Sequence, residues 1–146
     1  MQTIHVRTVP EYDVTIGPGL LAECGRRLRE VLPLCRMAVV TDSNVAPLYL
    51  EKVKASLSEA GYQVSACVFP AGEESKNFHT LSNILEFLAE EHLTRIDCVA
   101  ALGGGVTGDM AGLAAALYLR GVRYVPLQKA SLPRPLSIPD LPRPGP

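Results

Sequence analysis

The chain has 146 residues, a net charge of −1, and a composition that is 47% hydrophobic and 20% charged. These values fit one globular domain able to bury roughly two thirds of its unfolded surface. They exclude a disordered chain and argue against a nucleic-acid binder, which needs clustered Lys and Arg to neutralise phosphates; small anions need only a few local donors and stay open.

At the start, Met1-Gln2-Thr3-Ile4-His5-Val6 lacks a basic region followed by a long apolar run, so no signal peptide is expected. No uninterrupted apolar stretch of ~18 residues is present, so no membrane span is expected either. The plain expectation is a cytoplasmic chain without membrane contact. Ile4–Val9 and Tyr12–Ile16 read as strands joined at Pro10-Glu11, and Gly17-Pro18-Gly19 breaks the chain. Leu20, Leu21, Cys24, Leu28, Val31 and Leu32 recur at helical spacing and predict an amphipathic helix over 20–32. Met37–Thr41 is a short apolar strand, and Asp42-Ser43-Asn44 carries cap chemistry for the helix that follows. There Val45, Tyr49, Val53, Leu57 and Ala60 share a face, and Gly61 ends it. Val64–Phe69 is the next strand, with a turn at Pro70-Ala71-Gly72. Phe78, Leu81, Leu85, Leu88 and His92 mark a further helix face, with Glu86, Glu90 and Glu91 toward solvent. Asp97–Leu102 is a strand running directly into Gly103-Gly104-Gly105.

Alternating strands and helices build right-handed βαβ units and a mostly parallel sheet covered on both faces. The predicted fold is therefore α/β: a doubly wound, Rossmann-like domain over residues 1–125. Residues 126–146 differ, holding seven of the twelve prolines at Pro126, Pro133, Pro135, Pro139, Pro142, Pro144 and Pro146. Proline removes a backbone donor and resists helix and inner strand, so this tail is expected to be irregular. Pro133-Arg134-Pro135 and Pro142-Arg143-Pro144 also suit an extended polyproline ligand.

Cys24, Cys35, Cys67 and Cys98 are widely spaced in apolar stretches and read as packed thiols. His5, His79 and His92 show no zinc-ligand spacing, so no metal site is expected in this chain.

Three segments could carry chemistry. Gly103-Gly104-Gly105-Val106-Thr107-Gly108-Asp109 follows a strand and opens a helix. Glycines admit a ligand close to the backbone, and the helix N-terminus offers free N–H groups to phosphate. The acidic ribose ligand usual some 20 residues later is absent, that region holding Gln128 and Lys129. A tight strand-to-helix turn is the structural alternative. Asp42 closes an apolar strand at the edge where open α/β sheets bind ligands, and suits either a ribose hydroxyl or a helix cap. Glu73 and Lys76, after Gly72, place an acceptor and a cation at a loop edge, or form a solvated turn.

The succession Thr41-Asp42-Ser43-Asn44-Val45, Gly72-Glu73-Glu74-Ser75-Lys76, Gly103–Asp109 with Met110-Ala111-Gly112-Leu113-Ala114-Ala115, then Tyr118-Leu119-Arg120-Gly121-Val122, resembles the 3-dehydroquinate synthase family over about residues 1–125. The resemblance implies that family's N-terminal fold, NAD as cofactor and a homodimer. It implies a carbon–oxygen lyase of the shikimate pathway, in which NAD assists phosphate elimination and cyclisation of a seven-carbon phosphorylated keto acid. It places Asp42 on a ribose of NAD, with Asn44 beside it. Gly72, Glu73 and Lys76 fall on the ribose and phosphate side. Gly104 and Gly105 take the pyrophosphate, with Val106 and Thr107 in the same loop, and Asp109 lies near the nicotinamide ribose. The family's divalent metal, zinc or cobalt, takes one Glu and two His from later segments that have no match here, nor do its active-site lysines. No catalytic residue is therefore assigned to this chain, and turnover by it alone is not expected. Two other readings stay open: a non-catalytic NAD-binding or partner-binding domain, and a truncated sugar cyclase or polyol dehydrogenase of the same superfamily.

Overall fold

The computed structural model describes residues 2–6, 12–16 and 20–127 of the chain. An antiparallel hairpin, β1 (Gln2–Val6) with β2 (Tyr12–Ile16), opens it. The described part of the first strand runs to Val6, and its expected continuation over residues 7–9 lies outside the described residues.

The body is a parallel sheet of β3 (Arg36–Asp42), β4 (Gln63–Phe69), β5 (Cys98–Leu102) and β6 (Arg123–Leu127), in spatial order β4-β3-β5-β6. One face carries α1 (Cys24–Arg29) and α2 (Glu51–Glu59), and the other α3 (Phe78–Glu90) and α4 (Gly105–Leu117). Alternation along β3 divides the core. Met37 and Val39 pack among Leu28, Val53 and Leu57, while Ala38 and Val40 pack among Ile84, Leu88 and Ala111. Every residue of β5 is buried, as a central parallel strand requires. The doubly wound expectation holds, and the order reverses between β3 and β5.

Local differences have local causes. The helix expected over 20–32 is a 3₁₀ turn at Leu20–Glu23 followed by the short α1, although Leu21, Cys24, Leu28 and Leu32 are buried as their spacing predicts. The α2 segment enters through a wider π turn at Ala46–Leu50. Gly61 ends it with φ +108. On α3 the buried face is Leu81, Ile84 and Leu88; Phe78, at the first turn, is 85% exposed, and His92 lies past the helix end with φ +58. The strand β6 has no counterpart in the sequence reading. It pairs with β5 from Cys98↔Arg123 to Leu102↔Leu127, so ordered sheet passes the compositional change at Val125. Pro126 is tolerated because β6 is the last strand of its sheet on that side. The rest of the tail, with its two Pro-Arg-Pro segments, lies outside the described residues.

Candidate functional site at the carboxyl edge of the sheet

The carboxyl ends of β3 and β5 lie side by side, Thr41 opposite Leu102, so Asp42 and Gly103 leave the sheet next to each other. This is the crevice in which open α/β sheets bind ligands.

Asp42 is fixed from two sides. Its Oδ1 accepts the N–H groups of Asn44 and Val45, both at 2.9 Å, and so closes the turn ahead of the helix; the helix itself starts from Val45 without a side-chain cap, unlike the cap expected from the sequence. Its Oδ2 accepts the hydroxyl of Thr107 at 3.1 Å, across the crevice. Asn44 is exposed beside it. Ser43 ties this turn to the next: its N–H donates to Phe69 O and its Oγ accepts Ala71 N–H, each at 2.9 Å.

The β4–α3 loop is braced in the same manner. Gly72 has φ +116, a conformation that favours glycine, and buried Ser75 donates to Pro70 O at 2.5 Å. Glu73 and Lys76 are both exposed. The partner of Lys76 is Asp109, with Nζ 2.9 Å from Oδ2. This carboxylate raises the lysine pKa from its ordinary value, Glu73 adding only through its field. The sequence reading placed Lys76 and Asp109 on one ligand without placing them on each other.

The glycine loop divides into one glycine that the fold requires and two that it does not. Gly103 has φ +152, and a Cβ there would stand 2.9 Å from Thr107 Oγ1. A Cβ on Gly104 or Gly105 would meet nothing within 4 Å. Gly104 is the N-cap of α4 and brings no side chain, so among the described residues no side chain caps the first turn. Val106 is partly buried against the core, and Thr107 is fully buried. At the second turn Tyr124 donates to Gly108 O at 3.1 Å and lies against Gly112. The result is an uncapped helix N-terminus facing open space, with Asp42 and the Lys76–Asp109 pair on its borders. Such an arrangement can take a phosphate group by backbone N–H and a hydroxyl by carboxylate.

An apolar groove of about 240 Å³ adjoins Lys76 and Asp109, lined by Phe78, Leu81, Met110 and Leu113. It is smaller than an ordinary ligand pocket of roughly 300–1,000 Å³. The sequence reading gives Ser43 and Ser75 no bracing role of their own and leaves Asn77 unassigned. Only Asn77, a capping residue type just before an apolar period, carried a readable signal.

Among the described residues no group of three or more His, Cys, Asp or Glu could hold a metal ion. The four cysteines are unpaired. Burial pushes the Cys24 and Cys35 thiols up to about 11 and raises Cys98 well above its ordinary value, so they stay protonated at neutral pH. No helix among the described residues is long and apolar enough to cross a membrane.

Residues 66–133 match the family described as 3-dehydroquinate synthase N-terminal, a stretch that continues past Val125. The chain is 49% identical over 126 residues to the 3-dehydroquinate synthase of Rhizobium leguminosarum bv. trifolii, covering 86% of this chain and 34% of that protein. It thus spans about a third of the length of such relatives. Among solved structures it is similar to 2-epi-5-epi-valiolone synthase of Streptomyces hygroscopicus with NAD+ and Zn2+ bound. That likeness has a TM-score of 0.65 and 35% identity, over 76% of this chain and 30% of that one. A 2-deoxy-scyllo-inosose synthase complexed with carbaglucose-6-phosphate, NAD+ and Co2+ shares the fold, with a TM-score of 0.67 and 24% identity over 77% of this chain and 31% of that one.

Proposed function

We propose, from the chain's membership of the 3-dehydroquinate synthase family, that it forms the NAD-binding part of that enzyme's active site. In the complete enzyme, bound NAD would supply a reversible hydride acceptor for phosphate elimination and cyclisation of a seven-carbon phosphorylated keto acid. The observation that carries the reading is the open space over Gly104 and Gly105 at an uncapped helix start. No described residue fills it, and an anion with close backbone access fits it.

In this reading the first-turn N–H groups of α4, from Gly105, Val106 and Thr107, receive the pyrophosphate. Asp42, with Asn44 beside it, accepts a ribose hydroxyl. Lys76 exchanges part of its pairing with Asp109 for the phosphates, and Asp109 turns to the second ribose. Gly72 and Glu73 border the same side. The higher identity to the 3-dehydroquinate synthase, 49% against 35% for the valiolone synthase, favours the former over a sugar cyclase. The described residues do not fit the family's divalent metal, since no ligand group is present among them.

Calorimetric titration of the 146-residue chain with NAD tests the reading. Saturable heat, with affinity weakened but still measurable in Asp42→Ala, is the expected result. No heat at millimolar NAD would sink it.

A further inference from the structure

We infer that Thr107 is a positioning residue whose hydroxyl holds the Asp42 carboxylate across the crevice, in the orientation that receives a cofactor ribose. The inference rests on the proposed NAD-binding role of this edge and adds how Asp42 is fixed there.

Asp42 closes the strand β3. Two backbone N–H groups at 2.9 Å pin its Oδ1 and leave the direction of Oδ2 unset. The hydroxyl of Thr107, donating at 3.1 Å from the first turn of α4, sets it. Thr107 is 0% exposed, whereas Asp42 is partly exposed. A ligand in the crevice therefore meets the carboxylate, and the threonine side chain acts through it. Because the hydroxyl donates, Asp42 remains an acceptor with lone pairs left for ribose.

Gly103 completes the arrangement. A Cβ there would lie 2.9 Å from Thr107 Oγ1 and 3.1 Å from Thr107 Cβ, so a side chain at 103 would push the threonine away from Asp42. The first glycine of the loop thus makes room for a protein side chain, and the next two leave room for something else. Valine keeps the shape of threonine and removes the hydroxyl, while serine keeps the hydroxyl.

The test titrates NAD into Thr107→Val and Thr107→Ser, each alone and with Asp42→Ala, and follows thermal unfolding of every variant. Thr107→Val is expected to weaken NAD roughly threefold to tenfold, less than the full worth of a hydrogen bond to a charged group because the threonine acts on the ligand only through Asp42. Thr107→Ser returns to within about twofold of the parent, and Thr107→Val adds nothing once Asp42 is alanine. A valine effect of equal size without Asp42, or a serine variant no better than valine, overturns the inference. If the parent chain gives no heat with NAD, the proposed function fails instead. The unfolding data then decide whether Thr107 holds Asp42: non-additive losses support it, and additive losses overturn it.

Discussion

Two helices of thirteen residues each, α3 and α4, begin at the same edge of the sheet and pack on the same face, yet their first turns are built in opposite ways. Asn77 starts α3 from extended backbone, its Oδ1 accepting Thr80 N–H at 2.9 Å and its Nδ2 donating to Glu74 O at 2.5 Å. That turn is closed by its own chain. Gly104 starts α4 with no side chain and with space around it. Equivalent places in a fold can serve stability or a ligand, and one residue decides which.

The largest expected effect comes from making the two alike. Gly104 has φ −91 and ψ −155, which any residue adopts, and a Cβ meets nothing, so Gly104→Ser fits. Its hydroxyl would cap the first turn and leave stability unchanged or raised by a few tenths of a kcal/mol. NAD affinity should fall roughly tenfold or more, because the new side chain occupies the cradle and takes its donors. Thermal unfolding and NAD titration check both halves, and undiminished affinity would break the contrast. The converse variant, Asn77→Ala, should lose about 1 kcal/mol of stability while NAD affinity stays within about twofold. A binding loss as large as that of Gly104→Ser would show that the α3 start also serves the ligand.

The contrast also marks how much was legible beforehand. The order of strands and helices followed from periodicity, and both helix ends at this edge carried their signals, Asn77 as a cap and Gly103–Gly105 as a glycine run. Asp42 suits a cap or a ribose ligand by its residue type, and its Oδ1 closes the turn before the helix rather than the helix itself. What the sequence withheld was pairing between segments. Thr107 with Asp42 and Lys76 with Asp109 join residues 65 and 33 positions apart, brought together only by the strand order β4-β3-β5-β6. The distinction between Gly103 and its neighbours was hidden for the same reason, since it depends on where the Thr107 side chain turns. The 85% exposure of Phe78 was not legible because helical spacing marks a face without showing how much of its length is covered. The strand β6 escaped notice because Pro126 interrupts it and the proline-rich composition begins there.

The smallest effect on stability belongs to the bodies of the same two helices. The apolar side chains Leu81, Ile84 and Leu88 of α3 are buried, whereas on α4 Leu113 and Leu117 are 43% and 54% exposed. A helix with no charged residue from Met110 to Leu117 cannot present a polar face to water, and Phe78 stands exposed on the neighbouring helix. Contiguous apolar surface of this kind promotes association. Leu117→Gln should change unfolding stability by less than about 0.5 kcal/mol, as a surface substitution does. Static light scattering across a concentration series should show the parent chain associating and the glutamine variant associating less. Equal association of the two would mean that the exposed face of α4 is not where copies meet.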